Sequence, residues 1–177
     1  MLTDQIQSVL RDIQDPEMPI SIIDLGIIDG VEESNGAVTI RLLPTFVGCP
    51  ALDMLTRDIA EKTGALAGVS GVNVQIIHDP PWTPERISDA GREQLRRFGV
   101  TVPQRGGTEK CASEPSIGGL GSAGGAAFVP LGMTTKVACP FCGADRTRLE
   151  NVFGPTRCRM IYYCDACRNP FEHMKPL

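Results

Sequence analysis

The chain has 177 residues, 42% of them hydrophobic and 21% charged, with a net charge of −4. That length allows one ordinary domain or two small ones. The composition is that of a globular protein in water, and the acidic balance gives no support to nucleic acid as a partner. No basic segment followed by an apolar run opens the chain, and no stretch approaches the ~18 apolar residues of a membrane span, so the expected compartment is the cytoplasm.

Residues 2–13 place Ile6, Val9, Leu10 and Ile13 on one helical face, and Pro16 stops that helix. Asp15-Pro-Glu-Met-Pro19 reads as a rigid loop. The apolar run Ile22–Ile28 follows, with acidic Asp24 inside it. Asn35-Gly36 is a type I′ turn signal between two strand-like runs. After it Val38, Ile40 and Leu42 alternate with Thr39 and Arg41, as a half-buried strand should.

A helix start follows at Gly48-Cys49-Pro50. Proline is favoured at the first helical position, so Cys49 is the expected N-cap. A thiol there feels the positive end of the helix dipole, which lowers its pKa and makes it a better nucleophile and soft-metal ligand. The competing reading is a free cysteine packed as a small hydrophobe. Leu52, Leu55 and Ile59 carry the buried face of this helix, and Gly64 lies just past its end. Val72, Val74 and Ile76 alternate in a third strand. Helix–strand–strand–helix–strand predicts an α+β domain with helices on one face of a small mixed sheet.

In Asp79-Pro-Pro-Trp-Thr-Pro-Glu85, Thr83 is placed to cap and Pro84 to open a further helix running to about Phe98, with Gly99 as its stop. Trp82, the only tryptophan, either packs on its own domain or anchors a partner. Residues 104–136 hold eight glycines without a period and read as a flexible linker containing Cys111. The expected division is therefore 1–103, a linker over 104–136, and 137–177. The first part has 8 basic and 15 acidic residues, the last 6 and 4.

The last part contains Cys139-Pro-Phe-Cys-Gly143 and Cys164-Asp-Ala-Cys167, two knuckles separated by 21 residues. Thiolates at i and i+3 of a tight turn point at one tetrahedral centre, so Cys139, Cys142, Cys164 and Cys167 are the expected metal ligands. Thr147–Val152 and Arg159–Tyr163 would form the hairpin of a zinc ribbon. A closed structural zinc is the default, because so small a segment needs a metal to fold; sulfur-only sites also take iron. Cys158 is either an extra ligand or packed in the hairpin. His173, with four cysteines already present, reads as a surface residue.

Asp15-Pro-Glu-Met-Pro19, Asp24-Leu-Gly26 and Thr45-Phe-Val-Gly-Cys-Pro-Ala51 resemble the small iron–sulfur assembly domain of SufT-like and cytosolic iron–sulfur targeting proteins. Trp82–Ser88, Phe153-Gly-Pro-Thr-Arg-Cys158 and the run from Cys164 to His173 extend that resemblance to the PaaD type, in which the domain is fused to a C-terminal ribbon. The long Gly-rich linker departs from the pattern.

The resemblance implies the D component of a bacterial ring-1,2-phenylacetyl-CoA epoxidase system. Such a component is not the oxygenase but an accessory that helps mature its metal centres, di-iron or iron–sulfur. It implies Cys49 and Asp24 as the positions for metal or cluster transfer, a transient iron or iron–sulfur cluster as cargo, and the oxygenase or reductase subunit as partner. The oligomeric state stays open, a homodimer included. The residues agree with a non-catalytic role. The chain has only two histidines and no Glu-x-x-His for a di-iron bundle, and no Gly-x-Gly-x-x-Gly fingerprint.

Two other classes compete. An enzyme with Cys49 as nucleophile needs a base, and His78 is the one candidate before the linker. A nucleic-acid-binding ribbon would use Arg146, Arg148, Arg157, Arg159 and Arg168 with Tyr162 and Tyr163.

Overall fold

The computed structural model describes residues 2–46, 48–106 and 137–175. The expected linker lies outside the described residues from 107 to 136, and Cys111 with it.

α1 (Leu2–Asp12) buries Ile6 and Leu10, the face that the periodicity marks. The Asp15–Pro19 loop behind it is closed by the Asp15 N–H donating to the Ile20 carbonyl at 2.8 Å and the Glu17 N–H donating to Asp15 Oδ1 at 2.8 Å. β1 (Ile28–Ser34) and β2 (Ala37–Leu42) pair as an antiparallel hairpin. Its turn residues Asn35 and Gly36 have φ of 51° and 82°, both left-handed as a type I′ turn demands. α2 (Leu52–Gly64) then carries the chain back, so that β3 (Gly71–Ile76) lies parallel to β2.

The result is a mixed three-stranded sheet in the order β1-β2-β3. β2, the central strand, buries Val38, Ile40 and Leu42 on one face with the period of two that a pleat dictates. Ile6, Leu10, Leu55 and Ile59 from the helices join the same core. Each of these aliphatic burials is worth about 1.5–3 kcal/mol.

The chain after β3 wraps onto this core. Trp82 is buried, and its indole N–H donates to the Leu25 carbonyl at 3.0 Å, so it packs on its own domain. The single helix expected from Pro84 is two pieces, a 3₁₀ turn at Pro84–Arg86 and α3 (Asp89–Arg97). Between them Ile87 is extended and fully buried. Sinking that side chain interrupts the helix, and Ser88 restarts it: its hydroxyl accepts the Gly91 N–H at 2.9 Å. Thr83 makes no side-chain cap bond. Gly99, with φ of 81°, ends α3 where the sequence places the stop.

A second sheet follows. β4 (Val100–Thr101), β5 (Thr147–Asn151), β6 (Arg159–Cys164) and β7 (Pro170–Met174) stand in the order β4-β7-β6-β5. β5 and β6 are the ribbon hairpin. β4 comes from the segment just after α3 and pairs parallel to β7, Val100 opposite Glu172 and Thr101 opposite His173. The Glu172 N–H donates to the Gly99 carbonyl at 2.9 Å, and Arg96 Nη1 to the Pro140 carbonyl at 3.1 Å. Met174 is fully buried among front-domain residues. The ribbon keeps a core of its own from Val137, Met160, Tyr162 and Phe171, the last two rings stacked at 5.6 Å.

Candidate metal centre and thiol site

Each knuckle is a tight turn closed by the backbone. The Gly143 N–H donates to the Cys139 carbonyl at 2.9 Å, and the Arg168 N–H to the Cys164 carbonyl at 2.9 Å. Gly143 and Arg168, each directly after the second cysteine of its knuckle, have φ of 73° and 60°. That left-handed step aims amides at sulfur. Ala144 bonds Cys142, and Asn169 bonds Cys167.

The four sulfurs of Cys139, Cys142, Cys164 and Cys167 lie within 4.8 Å of one another. Across the knuckles, Cys139 to Cys167 and Cys142 to Cys164 are both 3.6 Å. A tetrahedral ion with bonds of about 2.3 Å to sulfur spaces its ligands about 3.8 Å apart, so the set fits one metal. Without an ion four thiols so close cannot all ionise. For Cys142 the Ala144 amide works downward, but burial and the neighbouring sulfurs prevail and push the thiol up to about 12. For Cys167 burial works upward, but the Asn169 backbone and side chain and the neighbouring sulfurs bring it down to about 7. Cys158 is not one of this group among the described residues.

Cys49 differs from its expected setting. α2 begins three residues later, its N-cap is Ala51, and no side chain caps it. Cys49 instead sits in the turn before the helix, where its N–H donates to the Phe46 carbonyl at 3.2 Å and its carbonyl accepts from Leu52 at 3.3 Å. The half-buried thiol packs against the front core. Its pKa is raised rather than lowered. Burial dominates, the Ala51 amide offsets part of it, and the charges of Glu17 and Asp15 add to the rise. One N–H at a helix entry does not outweigh desolvation and nearby carboxylates.

Asp24 lies in the turn before β1. Its Oδ1 accepts the Ser88 hydroxyl at 2.6 Å and its Oδ2 the Ser21 hydroxyl at 3.0 Å. The carboxylates that bear on Cys49 are Asp15 and Glu17. Both belong to the Asp15–Pro19 motif, which the sequence presents as a loop and not as part of a site.

His173 is 1% exposed, not a surface residue. Thr101 Oγ1 donates to the Glu172 carbonyl at 3.1 Å and stands 2.8 Å from His173 Nδ1. Sequence distance hid this partner, which arrives on β4. His78 is exposed at the end of β3. Of the ribbon arginines, Arg159 is buried and paired with Glu172, and Arg148 is paired with Glu150 at 2.7 Å and with Asp165. Among the described residues no helix is long and apolar enough to cross a membrane.

Two families match the chain. Residues 3–76 match the family described as iron–sulfur cluster assembly protein, and residues 125–175 the PaaD zinc beta ribbon domain. A protein of Escherichia coli, provisionally named as the D component of 1,2-phenylacetyl-CoA epoxidase, is 33% identical over 97% of this chain and 91% of its own length. An Fe–S protein maturation auxiliary factor of Porphyromonas gingivalis is 32% identical over 52% of this chain and 89% of its own. Among solved structures, a domain of unknown function from Bacillus anthracis superposes with a TM-score of 0.51 at 25% identity, covering 53% of this chain and 91% of that one.

Proposed function

This chain belongs to the PaaD-type family, an iron–sulfur cluster assembly domain joined to a zinc β-ribbon, and from that premise we propose that it is a non-catalytic accessory protein in the maturation of metal centres. Its clients in this reading are the oxygenase or reductase subunits of a phenylacetyl-CoA epoxidase complex in aerobic phenylacetate degradation. The match to the Escherichia coli relative along nearly all of both chains supports that client over others. The maturation-factor relative, which shares the front domain, supports the activity.

Cys49 is the receiving and donating thiol, and its cargo is iron or an iron–sulfur cluster. The observation that carries this role is its position: half-buried in a turn at the mouth of α2 and free of any disulfide. A raised pKa keeps the thiol protonated until a metal displaces the proton, which suits a transient holder better than a permanent one. Asp24 would enter the transfer only after releasing the serine hydroxyls that now hold it. The ribbon metal is zinc: a closed four-sulfur set has no open position for chemistry, and the ion stabilises the fold. The division into 1–103 and 137–177 joined by 104–136 carries into this reading, with β4 and Met174 as the places where the two units meet.

The test is co-production of the epoxidase subunits with this chain or its Cys49→Ser variant. Iron content and epoxidase turnover of the purified complex should both fall with the variant. Full iron and full turnover beside a folded Cys49→Ser protein would remove Cys49, and the assembly role resting on it.

A further inference from the structure

Among the described residues four strands have one side unpaired: β1 and β3 in the front sheet, β4 and β5 in the ribbon sheet. An open strand edge is a template for a further strand, and folded chains blunt it with charge, proline, a bulge or shortness. β1 carries Asp29, Glu32 and Glu33, and its register shifts between Ile28 and Gly30. β5 carries Arg148 and Glu150, with a shift between Leu149 and Asn151. β4 is 2 residues long. β3 has none of these devices. Gly71-Val-Asn-Val-Gln-Ile76 holds no charge and no proline, and it runs in register with β2 from end to end.

The pairing with β2 orders the open side. The Ile77 N–H donates to the Leu42 carbonyl at 2.9 Å, and Leu42 stands opposite Ile76. Successive residues of a strand turn their backbone groups to opposite sides. Gly71, Asn73 and Gln75 therefore bond to β2, and the N–H and carbonyl groups of Val72, Val74 and Ile76 point outward. Side chains alternate between the two faces. Val72 and Val74, opposite Val38 and Ile40 of β2, pack half-buried against the core, and Ile76 ends the row 41% exposed. Asn73 and Gln75 are exposed on the other face.

We propose that the β3 edge pairs antiparallel with β3 of a second copy of this chain, joining the two front sheets into one. The strand fits itself about a two-fold axis through Val74. Val74 then faces its own counterpart, Val72 faces Ile76 of the second copy, and Asn73 faces Gln75. Apolar meets apolar on the core face and amide meets amide on the other. Every outward N–H and carbonyl from Val72 to Ile76 finds a partner. A slip of one residue would set valines against amides. Charge permits this register. Beyond the strand His78 falls opposite Ser70 and Asp79 opposite Val69, so no two like charges meet. A foreign strand would have to supply both the uncharged edge and the alternation of apolar and amide side chains; a second copy carries both. This pairing does not depend on the role of Cys49.

Sedimentation velocity of the full, zinc-loaded chain is the test. The wild type should pass from one chain to two as its concentration rises. Asn73→Asp with Gln75→Glu sets like charges opposite each other at both amide pairs, and Asn73→Lys with Gln75→Lys does so with the other sign. Both positions are exposed, so each double variant should keep its zinc and its thermal midpoint while dimerising at least about tenfold more weakly. Mixed in equal amounts, the acidic and basic variants should pair again. In hydrogen exchange the amides of Val72, Val74 and Ile76 should be protected in the wild type and open in either variant. A wild type that stays single up to its solubility limit overturns the inference. So does a dimer that neither variant weakens, a mixture of the two variants that stays single, or a dimer that leaves those amides open. Single chains that assemble through β3 only after an epoxidase subunit is added give the edge to a client and overturn self-pairing. Each of these results leaves the role of Cys49 where its own test puts it.

Discussion

The Ser88 hydroxyl donates to Asp24 Oδ1 at 2.6 Å and accepts the Gly91 N–H at 2.9 Å. One hydroxyl thus caps α3 and holds Asp24. The Ser88 N–H also donates to the Asp24 carbonyl at 2.9 Å, which ties the start of α3 to the turn before β1. Ser88→Ala keeps that backbone bond but loses the cap, about 1 kcal/mol, and a bond to a carboxylate, about 1.5–3 kcal/mol. Urea unfolding should show a loss of about 2.5–4 kcal/mol with zinc content unchanged. A loss below 0.5 kcal/mol, on the order of an ordinary surface change, would mean the Ser88–Asp24 bond contributes nothing in solution.

His173 makes stability depend on pH. Burial lowers its pKa from 6.5 to about 4. Above 6.5 both folded and unfolded chains carry a neutral ring. Between 6.5 and about 4 the unfolded chain takes up a proton that the folded one refuses, so stability is present above 6.5 and is lost as pH falls toward 4. The loss amounts to about 3 kcal/mol from this residue. His173→Asn retains a polar group opposite Thr101 and should flatten the dependence over that interval in denaturant melts. An unaltered slope would assign the acid sensitivity to other groups.

The ribbon metal should stabilise more than the ribbon. Structural zinc sites contribute about 10–16 kcal/mol of binding free energy, which is folding free energy where the apo segment is unfolded. Chelation, or Cys139→Ser, should expose the amides of β5, β6 and β7 to hydrogen exchange. Glu172 loses its bond to Gly99 and Met174 leaves the front core in the same event, so exchange should also rise at Val100 and Thr101. Protection at those two amides unchanged by chelation would mean that β4 holds to the front domain without β7. Elemental analysis should find one zinc per chain; iron in its place would replace the metal assignment.

Cys49 should react slowly. Its raised pKa predicts that alkylation by iodoacetamide, followed by mass spectrometry of the Cys49 peptide, accelerates with a midpoint above that of an ordinary thiol. Cys49→Ser should change thermal stability little, because the residue is half-buried and does not cap α2. A midpoint near neutrality would restore the helix-dipole view of this thiol and contradict the burial that the structure assigns to it.

Local pattern carried much of the architecture. The spacing of Ile6, Leu10 and Ile13 marks α1, Asn35-Gly36 marks the hairpin, and two Cys-x-x-Cys knuckles mark the metal centre, because each is set by the geometry of one turn or one helical period. These features need only neighbours within a few residues, so a sequence displays them. The environment of each functional group is another matter. Cys49 has the flanks of a helix cap, yet its pKa is decided by burial and by Asp15 and Glu17. His173 follows a metal knuckle like a solvent residue, yet Thr101 arrives beside it on β4 and closes it in. Ser88, a helix cap by type, binds Asp24, 64 positions earlier. Desolvation and contacts of this range depend on which surfaces the fold presses together. Composition and spacing determined α1, the β1–β2 hairpin, β3 and the two cysteine knuckles; tertiary packing alone split the helix after Pro84, added β4 and β7, and decided what surrounds Cys49, Cys158 and His173.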